Sequence, residues 1–401
     1  MMDASDKSPQ WMDILGHSLF TAFILVVLWP GIIGAQSFMT YTEYLAHHEP
    51  FIRPNQDISL AVGEALGDGE IVWEYAGYTG PVVLTGEQST VMWEFVVPET
   101  GFYNIAVDYF PMPGRSSVIE RELLINGKRP FVDAGYLTFS RMWSDDGPIR
   151  QDVSGNEIRP PQVEAPEWRT VMLKDSRGYE QEPYMFYFRA GENTLSFVSL
   201  REPLAIRSVT LTQEKGQVTY DKWLQELKHT QGPSLGVPVS NVLIKIQGED
   251  STVRSDSTLF AVADQGDPTL EPYHPAQLRL NTIGGQRWNR PGQWIRWEFE
   301  VPKTGLYMVA VKGKQNARRG FYSNRQLKVN GEVPFLEARS LSFPYSSRYQ
   351  MHVLGDGDPY LFYFTKGLNV IEFEVVLGDL SELMRITEDV LYELNTFYRR
   401  I

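Results

Sequence analysis

Cysteine is absent from all 401 residues, which removes disulfide scaffolds, thiolate metal sites and cysteine nucleophiles together. Positive charge is scarce: 37 lysines and arginines stand against 50 aspartates and glutamates, a formal net charge of −13. A general nucleic-acid binder needs a basic footprint to neutralise phosphates, so nucleic acid is not expected as a partner. No H-E-x-x-H, G-x-S-x-G or Walker-type glycine loop occurs, and the six histidines are scattered. His47-His48-Glu49 lacks a fourth metal ligand and falls in a stretch that reads as a solvated linker. Glycoside hydrolysis needs two opposed carboxylates, and no pair stands out among fifty acids. The chain therefore reads as non-enzymatic.

Aromatic residues and chain breakers are plentiful. There are 10 tryptophans, 20 tyrosines and 21 phenylalanines, with 33 glycines and 25 prolines. That mixture favours short strands joined by turns over a helical bundle. Near the start, Ile14 to Ala35 is apolar with His17 as its only ionisable side chain. It is about the ~20 residues a spanning helix needs, and Ala35 offers a small residue for cleavage. Residues 1–36 read as a signal peptide or membrane anchor, which places the protein outside the cell, secreted or surface-held. Without cysteine, lipid anchoring through sulfur is excluded.

The most informative feature is an internal repeat. Trp93-Glu94-Phe95-Val96-Val97-Pro98 with Thr100-Gly101 returns 204 residues later as Trp297-Glu298-Phe299-Glu300-Val301-Pro302 with Thr304-Gly305. Arg121 to Gly127 returns at the same spacing as Arg325 to Gly331. A third block, Pro183 to Phe188, returns as Pro359 to Phe364 only 176 residues on, so the first copy carries 28 extra residues. Alternation in W-E-F-x-V is the period of a half-buried strand, and Asn-Gly suits a tight hairpin turn. The expected fold is all-β, two tandem antiparallel sandwiches at 57–214 and 241–378. Residues 37–56 read as a linker and 215–240 as a helical linker, with Tyr220, Trp223, Leu224 and Leu227 on one helix face. Residues 379–401 read as an amphipathic helix, opened by Asp379 and Glu382 in a capping-box pattern and striped by Leu383, Val390, Leu394, Phe397 and Ile401. Such a helix needs a surface to pack on, either the second sandwich or a further domain.

Ile246-Gln247-Gly248-Glu249-Asp250, followed by the W-E-F-x-V-P block, resembles the opening of galactose-binding-like jelly-roll carbohydrate-binding modules. Val62-Gly63-Glu64-Ala65 is a fainter version. The tandem arrangement, with Leu137 to Arg141, Asn281 to Gly285, Phe343 to Ser346 and Leu391 to Asn395, resembles the N-terminal region of large extracellular solute-binding proteins of Gram-positive sugar ABC transporters. The resemblance covers 41–401 and lacks the solute-binding lobes. It implies oligo- or polysaccharide as ligand and transporter membrane subunits as further partners. It also implies a structural calcium on Glu64 or Glu249, although Arg207 stands where the final strand of the first copy should supply an aspartate.

A saccharide site needs a flat aromatic face with polar groups at its edge. Trp93 and Trp297 sit at matching alternating positions and read as core. Trp143, Trp168, Tyr179, Trp288, Trp294, Tyr322, Tyr345 and Tyr349 lie in loops or at strand edges, with Arg290 and Arg319 nearby, and form the candidate carbohydrate-binding set. The expected function is non-catalytic glycan binding associated with sugar uptake; the alternative is a docking module with no sugar site. Because the 28-residue insertion belongs to one copy, the two copies are expected to differ in ligand, or one of them to have none.

Overall fold

The computed structural model describes residues 38–214, 216–232, 238–239 and 241–400. The apolar leader, Ile14 to Ala35, lies outside the described residues. Among the described residues no helix is long and apolar enough to cross a membrane.

From Thr40 onward the chain forms one compact unit built on two antiparallel β-sandwiches. In the first, one sheet runs Arg169–Met172, Gly101–Pro111, Leu204–Thr212, Tyr78–Thr85, Glu70–Tyr75. The facing sheet runs Leu66–Gly67, Thr90–Val97, Gly191–Arg201, Ile119–Ile125, Leu137–Phe139. Period-2 alternation puts Val91, Trp93 and Val97 in the core and Glu94 and Val96 outside. The repeat does the same with Ile295, Trp297 and Val301. Asn126-Gly127 and Asn330-Gly331 all have positive φ, and in each hairpin the flanking residues exchange backbone hydrogen bonds. That is the two-residue turn expected from Asn-Gly.

Each sandwich begins with a helix. The segment read as a linker contains α1 (Tyr41–His47), whose Thr40 and Glu43 form a reciprocal capping box. Tyr41 and Tyr44 are buried, and their hydroxyls accept the Met185 and Tyr187 N–H groups at 2.9 and 2.7 Å. His48 packs on Tyr187 and Tyr44, so it is no solvated ligand. Helix α2 (Tyr220–Gln231) repeats the device. Tyr220 accepts the Leu361 N–H at 3.0 Å and lies 4.9 Å from Phe335, the same separation as Tyr41 from Phe131. The residues between the sandwiches thus contain the first element of the second unit. Each strand with the Y-x-F-Y-F pattern holds its helix by donating N–H groups to tyrosine, two in the first copy and one in the second.

The insertion fuses the halves. Gln162–Glu164 and Trp143–Asp145, both from the first half, continue through Val253–Arg254 into Trp294–Val301, Gly367–Val376, Ser323–Val329 and Leu341–Phe343 as one seven-stranded sheet. Arg254 is fully buried at the join. Its guanidinium donates to Asp145 Oδ1 and Oδ2 at 2.9 and 2.7 Å, to Gln162 at 2.7 Å and to Ser251. The hairpin at 150–158 docks on the second half through Glu157 N–H to Leu278 O and Leu280 N–H to the Glu157 carboxylate. Beneath lies an ion-pair layer: Arg169 grips Glu372 with two bonds, Arg296 and Lys328 approach the same carboxylate, and Lys174 and Lys328 meet Glu374.

The C-terminal helix α3 (Leu380–Arg400) is mounted on the first half by polar contacts. Arg385 pairs with Glu180, Glu388 with Arg177, and Thr42 donates to Asp389. Its apolar stripe, Leu383, Val390, Leu394 and Phe397, stays exposed. Of the two surfaces expected for the stripe, the second sandwich or a further domain, the second sandwich does not cover it.

Replacing Arg254 by alanine removes the cation from a mostly buried carboxylate and cuts the join. The expected loss is about 3 kcal/mol by denaturant unfolding, with a single transition splitting into two. Arg254→Lys restores little, because an ammonium cannot reproduce the bidentate fork.

Candidate functional site

Between the sandwiches lies a cleft of about 2160 Å³. The join holds its walls apart, and turns from both halves line it. On one side Asp175 accepts the N–H groups of Arg177, Tyr179 and Glu180 at 3.0, 2.8 and 3.3 Å. That wraps 175–180 into a turn presenting Tyr179, with the Arg177 guanidinium 4.9 Å over its ring. Trp143, on the joining strand, is half-buried on the same lining. Opposite, Gln293 accepts the Asn289 and Arg290 N–H groups at 3.1 and 3.0 Å, shaping a turn that extends Arg290 toward Asp256. Phe321, Gln326 and Lys328 complete that wall.

Charge in the cleft is organised by pairing. Burial alone would raise the Asp256 carboxyl, but hydrogen bonds from Thr258 and Gln293 and the Arg290 charge outweigh it and hold the group below its ordinary value. Glu374 is likewise pushed up by burial and pulled down further by Lys174 and Lys328, to about 2. Glu214 goes the other way. Burial raises it to about 7; Arg339, 3.0 Å away, opposes that, and the neighbouring Glu182 carboxyl adds to it.

Of the ten carbohydrate candidates, four line the cleft: Trp143, Tyr179, Arg290 and Trp294. Trp294 is only 2% exposed and lies under Arg169 at 4.0 Å and Arg296 at 5.3 Å, so its ring is committed to the interface. Trp288 also turns inward. It packs on Trp297, carries Arg325 at 4.3 Å and donates Nε1–H to Gln293 O at 3.1 Å. Trp168 closes the end of the first sandwich between Tyr78 and Phe110, under Arg207 at 4.6 Å. Tyr349 bonds Asp264 at 3.2 Å and lies under Lys314. Arg319, Tyr322 and Tyr345 stand exposed on loops of the second sandwich, away from the cleft lining. Lys174, Asp256, Phe321 and Lys328 escaped the sequence reading. Each looks like an ordinary strand or turn residue until the two halves face one another.

Neither calcium position fits the ion. Glu64 is exposed, and Arg207 of the final strand is tied to Asp108 at 2.8 Å and stacked on Tyr78. Glu249 is 6% exposed, with Oε2 lacking a partner, and burial lifts its carboxyl to about 7. Calcium takes six to eight oxygens, several of them carboxylate. No group of three or more histidine, aspartate or glutamate side chains suited to a metal occurs among the described residues.

The cleft and fold define a tandem β-sandwich protein with an inter-domain groove. No family model matches the chain, and no curated protein sequence matches it. Among solved structures, it is similar to a family 35 carbohydrate-binding module from Clostridium thermocellum, with 12% identity and TM-score 0.24, covering 39% of this chain and 97% of that one. A CBM35 from Paenibacillus barcinonensis gives 16% identity and TM-score 0.24, covering 40% and 100%. A Podospora anserina GH26-CBM35 β-(1,4)-mannanase gives 13% and 0.24, covering 43% of this chain and 35% of that enzyme. At these scores no residue correspondence follows.

Two outcomes are expected here. EDTA leaves the melting temperature unchanged, because neither candidate position offers a calcium donor set. The Glu249 carboxyl holds its proton to about pH 7 when folded but only to about 4.3 when unfolded. Stability therefore falls as pH rises from about 4.5 to 7. Glu249→Gln flattens that slope and raises the melting temperature at pH 8; the part that persists comes from Glu180 and Glu214, which are raised in the same direction.

Proposed function

We propose that the chain is a non-catalytic carbohydrate-binding protein that takes an oligosaccharide in the inter-domain cleft. The carrying observation is the convergence of two aromatic rings from the first half, Trp143 and Tyr179, with Arg290, Asp256 and Gln293 from the second. Flat apolar faces suit the C–H side of a pyranose, and the charged and amide groups suit its hydroxyls. Volume decides ligand size. Small-molecule pockets are roughly 300–1,000 Å³, and this cleft is about twice the upper figure, so several linked residues fit better than one sugar. The lining carboxylates Asp256, half-buried, and Glu374, buried, are ionised and held by cations, which disfavours a general-acid role. Glu214 does carry a raised pKa, but it is tied up with Arg339 and the adjacent Glu182 carboxyl.

In this reading the protein works outside the cell and passes saccharide to an uptake system, with ABC-type membrane subunits as partners. A second reading, a docking module without a sugar site, is favoured by the exposed apolar stripe of α3. The two separate on glycan arrays and affinity gels run with the full chain. Saccharide retention is expected. Tyr179→Ala and Arg290→Ala should each weaken it about tenfold, or about 1.4 kcal/mol, with melting temperature unchanged, and Tyr322→Ala should leave it intact. A chain that retains no saccharide leaves the docking reading.

A further inference from the structure

Among the described residues the second sandwich lacks a strand that the first one has. In the first, Leu204–Thr212 lies antiparallel to Gly101–Pro111, with Leu211 opposite Ile105 and Val209 opposite Val107. Its other edge takes Ile58–Ser59 and Tyr78–Thr85, and Leu60 N–H donates to Val209 O at 2.9 Å. The chain enters that strand after Gly191–Arg201 through Glu202, which has positive φ. The matching strand of the second half, Gly367–Val376, ends in a positive-φ residue too, Gly378. There the chain turns into α3, and no return strand forms.

Two walls are left facing one another. Gly305–Met308 pairs with Leu361–Phe364 and Ala310–Gly313 with Gln350–Val353. Among the described residues the other edge of both carries no ladder; one bond from Val239 N–H to Leu306 O, at 2.9 Å, ties its start. Across from it, residues 241–247 alternate like a strand. Val242, Ile244 and Ile246 pack on the core while Asn241, Leu243 and Lys245 are exposed, Leu243 at 92%. Ile244 and Ile246 precede their one-turn helix, Gly248–Asp250, by the same four and two residues as Ile58 and Leu60 precede Val62–Glu64. Yet no ladder partner is found for this segment among the described residues.

The core registers the gap. Ile105 and Val107 are fully buried in the first sandwich, whereas their counterparts Val309 and Val311 are only partly so. Met308, on the open strand, is 61% exposed, and Met351 and Val353, on the strand paired to its far side, are exposed as well. Lys245 from one wall and Lys312 from the other reach the same loop, at Glu271 and Thr269, by side-chain contacts that supply no ladder.

We propose that the second sandwich is completed in trans by a strand of another polypeptide, extended and apolar at alternate positions, running antiparallel to the Gly305–Met308 and Ala310–Gly313 edge. Main-chain hydrogen bonds to that edge give affinity, and side chains seated on Val309, Val311, Ile244 and Ile246 give register. The first sandwich supplies the template for such an occupant. A second copy of this chain does not supply the strand, because its own Leu204–Thr212 is locked between two walls. Flanking lysines also disfavour edge-to-edge pairing of copies. This inference is independent of the saccharide reading, since the slot and the cleft share none of the residues named here.

The probe is a synthetic peptide with the sequence Leu204–Thr212, added to the full chain and followed by hydrogen–deuterium exchange. Expected is protection of amides at 308–313 and 242–246 that grows with peptide concentration. A peptide carrying Val209→Asp and Leu211→Asp should bind at least tenfold more weakly. Val311→Glu in the full chain should abolish the protection; if that variant fails to fold, the exchange pattern of the unaltered chain still decides. Absence of protection at millimolar peptide, or protection confined to other segments, overturns the proposal. Sedimentation showing that copies self-associate through this edge and exclude the peptide overturns it equally.

Discussion

Everything about the cleft depends on the seam at which strands of different halves pair, Arg254 opposite Trp143. Trp143–Asp145 pairs with Val253–Arg254, so the two sandwiches share one sheet instead of merely touching. A shared sheet with a fully buried arginine at its seam has little freedom to hinge. Arg254 is tolerable there because Asp145, Gln162 and Ser251 satisfy its donors; a buried cation without such partners would be strongly unfavourable. The Arg169–Glu372 fork and the Lys174–Glu374–Lys328 cluster extend the same logic along the interface. The candidate binding groups of the two domains then line one cleft in a fixed geometry, which would lower the ordering entropy that a ligand must overcome.

The two copies diverged in complementary directions. The first carries 28 residues that the second lacks, expected from sequence to give the copies different ligands or leave one with none, and those residues form the clamp between the halves. Among the described residues the second has no return strand, and its chain runs instead into a helix that leans on the first half through Arg385 and Glu388. What both kept is the tyrosine-anchored helix at the start. Tyr41 and Tyr220 each take a backbone N–H from the Y-x-F-Y-F strand while their rings meet a phenylalanine at the same distance. A buried tyrosine needs a partner for its hydroxyl, and a sheet-edge N–H needs an acceptor; the pairing solves both.

Net charge proved a poor guide to the local field. The chain carries −13 overall, yet the cleft and its floor gather Arg169, Lys174, Arg177, Arg290 and Lys328. Their acidic partners lie beneath or beside them, so the cleft is polar and largely neutralised. Such a surface suits hydroxyl-rich ligands better than polyanions.

Much of the architecture was legible in one sequence because strand periodicity and Asn-Gly turn chemistry are local. Trp93 and Trp297 went to the core as alternation requires, and the repeat established two sandwiches. The opening helix of the first copy was missed because seven residues with two tyrosines carry little periodic signal, and its stability comes from the sandwich beneath it. The candidate site was legible only in part. Trp143, Tyr179 and Arg290 were found as loop or edge residues, but Trp294 and Trp288 looked the same in sequence and turned out to be committed to packing. Lys174, Asp256 and Lys328 gave no signal at all. The sequence by itself determined the strands, the turns and the duplication, since these follow from neighbours along the chain. Only the tertiary structure decided which aromatics face solvent, what the insertion does and which strand is missing, because each depends on what the other half of the molecule places opposite.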